Sequence, residues 1–228
     1  LQLKPQDPFA KSLIKACEQA ILTFVSEDVD IKGHIDVIVN SPVQEPKAMP
    51  LEGVKCKIAV SSGKGGVGKS TVSANLAIAL SKAGYKVGLL DADIYGPSIP
   101  KMFNIEDARP VADENGKIMP IEKYGIKILS IGFFVNPESA IVWRGAMASN
   151  AIKQLINDAA WGDLDFFLID LPPGTSDIHL SIIGTIKLDG AVVVSTPQQV
   201  ALADAIKGID MFQNDKVNVP ILGLIENM

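Results

Sequence analysis

Cysteine and histidine are scarce in this sequence, which contains two of each in 228 residues. The cysteines, Cys17 and Cys56, are too few and too far apart for a disulfide framework, and no Cys-x-x-Cys pair is present. The histidines, His34 and His179, are isolated, so we interpret each as a surface or capped histidine rather than a ligand or base. The sequence therefore predicts no metal site made of cysteine or histidine.

An excess of positive charge and a long apolar run are also absent. The net charge is −5, which gives no support for binding nucleic acid or an anionic lipid surface. No apolar run approaches the ~18 residues that span a bilayer, and the first residues do not resemble a signal peptide. We therefore expect a cytoplasmic protein with neither nucleic acid nor membrane as a partner. Because Leu1 is not methionine, we also expect the sequence to start within a longer gene product.

Three regions differ in pattern along the chain. Residues 8–25 have the apolar spacing of an amphipathic helix and residues 35–39 that of a strand. One helix and one strand do not form a stable core alone, so residues 1–40 are interpreted as part of a small N-terminal α/β domain. Three prolines within residues 41–53 predict a linker. The larger domain is expected to occupy residues 54–228.

The larger domain alternates short, continuously apolar strands with helices. Strands are predicted at 57–61, 85–90, 126–130, 166–170, 191–195 and 221–225, and helices at 69–83, 145–158 and 199–212. Asn115-Gly116 predicts a hairpin turn. This alternation is typical of an α/β fold with a mostly parallel sheet and helices on both faces, in which ligands bind beyond the carboxyl ends of the strands.

A glycine-rich loop follows the first of these strands and matches G-x-x-x-x-G-K-[ST] in full. Its glycines allow backbone N–H groups to approach phosphate oxygens, and the helix that follows adds a favourable dipole. Lys69 would reach the β- and γ-phosphates and Ser70 would bind Mg²⁺. We therefore predict a P-loop ATPase domain whose ATP-binding residues are Gly63, Lys64, Gly65, Gly66, Val67, Gly68, Lys69, Ser70 and Thr71.

Two predicted strands end in acids on the same side of the sheet as the loop. Asp170 ends one of them and would hold Mg²⁺ together with Ser70, directly or through water. Asp91 and Asp93 end the other, and a carboxylate here can position the water that attacks the γ-phosphate. The segment 171–177 contains two prolines and a glycine, which suits a switch loop whose Gly174 N–H senses that phosphate.

Lys64 is a second lysine inside the loop, and the sequence Gly-Lys-Gly-Gly-Val-Gly-Lys-Ser resembles that of the deviant Walker A ATPases, which include MinD, ParA, the nitrogenase iron protein and the Mrp proteins. Several further segments resemble the Mrp proteins in particular. These are residues 91–100, the Val-Trp-Arg-Gly-Ala-Met segment 142–147, which has Ala146 where the family usually has proline, and residues 196–202 and 223–228.

The resemblance implies a homodimeric ATPase that carries iron–sulfur clusters to apoproteins, with slow, switch-type hydrolysis. It implies that Lys64 crosses to the partner's nucleotide, that Asp93 orients the attacking water with Asp91 as its support, and that Asn227 contacts adenine. Lys64, Lys69 and Asp93 are thus the predicted catalytic residues. In the family, a Cys-Pro-x-Cys pair follows this point and binds the cluster, so its ligands are expected beyond Met228.

Two alternatives remain open. A positioning ATPase like MinD or ParA would share the loop and Lys64, but the 143–147 segment and the lack of basic patches argue against it. A small-molecule kinase or reductase-type ATPase of the same loop class would need an acceptor pocket that sequence alone does not reveal.

Overall fold

The chain forms two compact units, residues 1–48 and 49–228. The computed structural model describes residues 2–3, 10–24, 38–39, 51–94, 96–134 and 145–228. In the first unit, helix α1 spans Ala10–Phe24, and strand β1 (Gln2–Leu3) pairs in parallel with β2 (Ile38–Val39). The predicted helix and the end of the predicted strand therefore both form. The Trp143-Arg144 segment lies outside the described residues.

The second unit has a seven-stranded sheet in the order β5-β6-β4-β7-β3-β8-β9. Its strands are β3 (Val54–Ser62), β4 (Val87–Asp91), β5 (Ile121–Lys123), β6 (Ile126–Ser130), β7 (Leu164–Asp170), β8 (Gly190–Ser195) and β9 (Ile221–Glu226). All neighbouring strands are parallel except β5, which runs antiparallel to β6. The predicted fold class is confirmed.

Helices cover both faces of this sheet. They are α2 (Lys69–Lys82), α3 (Ile99–Met102), α4 (Gly145–Asn157), α5 (Asp177–Ile183) and α6 (Gln199–Gln213). One apolar core contains side chains of α4, α5 and α6, and the other contains side chains of α2 and α3. Successive residues of a strand enter opposite cores, as Leu168 and Ile169 do, because side chains alternate across a strand. This explains why the strands are continuously apolar in sequence.

Four short elements of the second unit were not predicted. They are α3, α5, β5 and a 3-10 helix at Ile131–Phe134, and none has more than seven residues. Periodicity is recognisable only over windows of about 11–18 residues, so elements of this length leave no clear pattern. The predicted turn at Asn115-Gly116 does form, with Gly116 at a φ of 76° and Ala112 bridged to Ile118 in an antiparallel manner. Within the described residues, no helix is both long and apolar enough to span a bilayer.

The packing of two glycines gives a test of this arrangement. A Cβ at Gly88 in β4 would lie 2.6 Å from Leu164 Cδ1 and 2.8 Å from Phe167 Cδ2, whereas a Cβ at Gly208 in α6 would meet nothing within 4 Å. We expect Gly88→Ala to lower the free energy of unfolding by about 1–3 kcal/mol through overpacking. Gly208→Ala should raise it by about 0.5–1 kcal/mol, since alanine loses less backbone entropy in a helix. Urea denaturation measures both, and equal stability of the two variants would contradict the packing described.

Candidate nucleotide-binding site

The glycine-rich loop connects β3, at the centre of the sheet, to the first residue of α2. Gly66 and Gly68 have φ values of 80° and 82°, a left-handed conformation that side chains other than glycine rarely adopt. Gly63 has a different reason to be glycine, because a Cβ there would collide with the backbone of Asp204 and Ala205 in α6. The loop is thus shaped by local backbone conformation and by close contact with a neighbouring helix.

Lys69 lies almost wholly buried between two acids. Its Nζ is 2.9 Å from Asp170 Oδ1 and 3.7 Å from Asp93 Oδ2, and its side chain is 6% exposed. It also donates a hydrogen bond of 3.3 Å to Ser70 Oγ. The structure therefore brings together four of the residues that were predicted to act on phosphate, metal and water.

Asp170, at the end of β7, has no solvent exposure. Its Oδ1 accepts a 2.7 Å hydrogen bond from Ser73 Oγ, whereas its buried Oδ2 has no hydrogen-bond partner. A buried oxygen without a partner is costly, and a cation nearby would satisfy it. Ser73 was not predicted, although it follows Ser70 by three residues and so lies on the same face of α2.

The donors around Asp170 fit a magnesium ion. Mg²⁺ prefers oxygen ligands and is commonly held by one or two carboxylates together with phosphate oxygens. The Ser70 hydroxyl and the unsatisfied Asp170 oxygen supply such ligands beside the phosphate loop. No separate cluster of metal-binding side chains occurs among the described residues.

Asp91 is fully buried one strand away and acts as a hydrogen-bond acceptor. Its Oδ1 accepts from the Asp93 N–H at 3.1 Å, and its Oδ2 accepts from the Ile99 N–H at 3.2 Å and the Ser130 hydroxyl at 3.0 Å. Burial, and secondly the negative charge of Asp170, raise the pKa of Asp91 to about 7. Asp91 therefore ties the backbone of Asp93 and Ile99 to β6, and its role as a support for Asp93 stays a prediction.

The predicted switch loop lies against the end of β3. The Gly174 N–H donates a 2.8 Å hydrogen bond to the Ser62 carbonyl, so in this structure it is bound to the chain itself. His179 follows in α5, is fully buried, and accepts a 3.1 Å hydrogen bond from the Ser176 N–H through Nδ1. Burial lowers the pKa of His179, which favours a neutral ring. His179 therefore caps the start of α5, a role that the sequence analysis did not predict, and it is buried rather than on the surface.

A cavity of about 250 Å³ opens beside the loop. Seven of its lining residues were predicted site residues, namely Gly65, Gly66, Gly68, Lys69, Ser70, Thr71 and Asp93. Gly96, Ser98, Met102 and Pro173 also line it and were not singled out as site residues. Sequence reasoning missed Met102 because an apolar side chain on a one-turn helix gives no chemical signal.

Asn227 reaches the phosphate loop from the end of β9. Its Nδ2 donates a 2.9 Å hydrogen bond to the Val67 carbonyl, and it lies beside Gly68. The residue therefore braces the loop, and its contact with adenine stays a prediction. Lys64 is half-buried, and its carbonyl accepts a 3.0 Å hydrogen bond from Ser62 Oγ.

This fold and loop define a P-loop nucleotide-binding protein. Residues 53–228 match the family model described as ParA, NUBPL iron-transfer P-loop NTPase, and the chain belongs to that family. The resemblance drawn from the motifs is confirmed.

Two sequence relatives are close. The chain is 57% identical over 232 residues to a protein of Haemophilus influenzae named iron-sulfur cluster carrier protein, a match that covers all of this chain and 62% of that protein. It is 55% identical over 179 residues to an Arabidopsis thaliana protein named iron-sulfur protein required for NADH dehydrogenase, mitochondrial, covering 78% of this chain and 56% of that one. The chain thus spans little more than half the length of these relatives.

Two solved structures share the fold. A nucleotide-binding protein from Archaeoglobus fulgidus in complex with ADP has a TM-score of 0.67 and 41% identity, over 78% of this chain and 68% of that one. The septum site-determining protein MinD of Pyrococcus horikoshii, with Mg-ADP, has a TM-score of 0.58 and 26% identity, over 76% of this chain and 70% of that one.

The pKa of Asp91 predicts a pH dependence of stability. Because its pKa is raised from 3.8 to about 7, the folded protein retains a proton that the unfolded chain loses in this range. The stability gained from this proton is fully present below the pKa of 3.8 that the group has in the unfolded chain. It is lost as the pH rises through the folded pKa of about 7. We expect wild type to lose on the order of 2 kcal/mol of folding free energy from this group between about pH 5 and pH 8.

The comparison with Asp91→Asn isolates this effect, because an amide does not titrate and the other groups are common to both proteins. Urea denaturation at the two pH values should show a smaller change for the variant. An identical change in the two proteins would mean that Asp91 is ionised throughout.

Proposed function

We propose that this chain binds ATP with Mg²⁺, hydrolyses it slowly as a switch, and acts as a cytoplasmic homodimer that carries iron–sulfur clusters to apoproteins. The observation that carries the ATPase part is the buried group of Lys69, Asp93 and Asp170 beside a complete phosphate loop. The carrier part is supported by the family of residues 53–228 and by the names of the relatives.

The geometry supports the following role for each side chain. The loop N–H groups and Lys69 bind the phosphates and offset the negative charge that develops on the leaving ADP. Ser70 and Asp170 would hold Mg²⁺, whose charge further neutralises the phosphate oxygens. Asp93 orients a water for attack on the γ-phosphorus, so that the bond from this phosphorus to the β–γ bridging oxygen breaks and ADP and phosphate are released. Lys64 extends to the nucleotide of the partner subunit.

ATP binding requires Lys69 to leave Asp170. In the structure, the Nζ of Lys69 forms its shortest ion pair with Asp170 Oδ1 at 2.9 Å. Phosphate oxygens would compete for this ammonium, and Asp170 would then become available to a cation. Bound phosphate would free Asp170 for Mg²⁺, and bound Mg²⁺ would free Lys69 for phosphate. Nucleotide and Mg²⁺ are therefore expected to bind with positive cooperativity.

Single substitutions separate these roles. Lys69→Ala should raise the Kd for ATP at least ~30-fold, because a buried charge-assisted contact is lost. Asp93→Asn should keep the Kd within about 3-fold but lower kcat about 10²-fold or more, the usual effect of losing a group that handles the attacking water. Lys64→Ala should retain ATP binding but lower turnover and ATP-dependent dimer formation.

Lys82→Ala is the matched control, since Lys82 is an exposed lysine at the other end of α2. Fluorescent-nucleotide titration, phosphate release and light scattering provide the three measurements. If Asp93→Asn turns over ATP like wild type, Asp93 is not the water-positioning residue.

Cluster carriage needs a separate test. The chain's two cysteines, Cys17 and Cys56, belong to different units and do not form the pair expected for a shared cluster. Iron and acid-labile sulfide are measured after anaerobic reconstitution of the 228-residue chain, its Cys17→Ser/Cys56→Ser variant and the full product of the gene. We expect a stoichiometric cluster per dimer in the full product and none in the two shorter proteins.

A cluster held by the 228-residue chain and lost in the double variant would place the ligands at its own cysteines. Absence of a cluster from all three proteins, with ATP binding intact, would refute the carrier function. It would favour a positioning ATPase, the second candidate, which is supported by the shared fold of MinD.

A further inference from the structure

The loop that carries Asp93 is tied together by a single buried carboxylate. Asp91 Oδ1 accepts the N–H of Asp93 at 3.1 Å, and its Oδ2 accepts the N–H of Ile99 at 3.2 Å. These two amides lie six residues apart, at the start of the loop and at the first residue of α3. One side chain therefore fixes both ends of the segment that forms one wall of the nucleotide cavity.

The carboxylate is itself held from a strand outside the site. Asp91 and Ser130 are paired in register on β4 and β6, and the Ser130 hydroxyl donates to Asp91 Oδ2 at 3.0 Å. Ser130 Oγ in turn accepts the N–H of Gly132 at 3.0 Å. Both side chains are fully buried, so water does not replace these hydrogen bonds.

Asp91 does not line the nucleotide cavity, and neither does Ser130. The residues that do line it from this side are Asp93, Gly96, Ser98 and Met102. Asp91 can therefore act on the reaction through the segment that it holds, and its charge also acts on Asp170 on the neighbouring strand. Ser130 lies one step further away and reaches the segment through its hydrogen bond to Asp91. Ser130→Ala leaves that charge in place, so it tests the segment alone.

We propose that Asp91 is a positioning residue for ATP hydrolysis, which holds the Asp93 carboxylate and the start of α3 at the cavity wall, and that Ser130 on β6 completes this support. The proposal rests on the ATP hydrolysis proposed above. It assigns to β6, the second strand of the sheet, an influence on turnover without contact with the nucleotide cavity.

A side chain with two acceptor oxygens fits this position. Both oxygens accept hydrogen bonds, from Asp93 on one side and from Ile99 and Ser130 on the other. Asparagine has the same shape but only one acceptor oxygen, so one side of the support would face an NH₂ donor. Asp91→Asn therefore releases one end of the segment with little change in volume.

The test compares Asp91→Asn and Ser130→Ala with Ser195→Ala. Ser195 is also a buried serine at the end of a strand, but its hydroxyl donates to the neighbouring Thr196 carbonyl. We expect kcat to fall about 10-fold or more in Asp91→Asn and about 3-fold in Ser130→Ala, while the Kd for ATP stays within about 3-fold in both. Ser195→Ala should keep kcat within 2-fold of wild type, even where it loses a similar amount of stability.

Hydrogen exchange gives a readout that is independent of turnover. In the apoprotein, amides of the 92–99 segment should exchange faster in Asp91→Asn and Ser130→Ala than in wild type, with the core of α2 unchanged. Unchanged exchange of this segment, or unchanged kcat in both variants, would overturn the proposal.

Were wild type to bind ATP but release no phosphate, the proposed hydrolysis would fail, and the exchange data would still decide whether Asp91 holds the segment. Should Asp91→Asn fail to fold, Ser130→Ala carries both measurements.

Discussion

Two buried carboxylates end neighbouring strands of the sheet, and the site depends on how the cost of burying them is offset. Asp91 and Asp170 are paired in register on β4 and β7, and both are fully buried. A buried carboxylate is unfavourable unless a cation, a proton or hydrogen bonds compensate it. Here Lys69 provides the cation at Asp170, and burial raises the pKa of Asp91, so that a proton is retained more readily than in water. This end of the sheet therefore favours a bound cation.

The sequence was sufficient to predict the sheet and the loop because both depend on long or rigid patterns. Four consecutive apolar residues, 166–169, precede Asp170, and the glycine-rich loop matches its motif at every fixed position. Parallel strands place their carboxyl ends along one edge, so the acids after β4 and β7 had to lie near the loop. This topology, rather than any single motif, made Asp93 and Asp170 predictable as neighbours of Lys69.

What could not be predicted were contacts between residues distant in sequence. Ser73 bonds to an acid 97 residues away, and Ser130 bonds to one 39 residues away. The sequence does not indicate which residue a serine hydroxyl will bond to, because water or a backbone group satisfies this hydroxyl equally well. The same limit applies to Gly63, whose requirement for glycine comes from the backbone of α6 rather than from the phosphate loop itself.

The hydrogen bond between the Gly174 N–H and the Ser62 carbonyl determines what a ligand at this loop would have to offer. The N–H already has a neutral acceptor, so another neutral acceptor would replace one hydrogen bond by an equivalent one and gain little. An anionic oxygen accepts a stronger hydrogen bond than a carbonyl does. At this point of the chain, discrimination between ligands would therefore follow the charge of the acceptor rather than its shape.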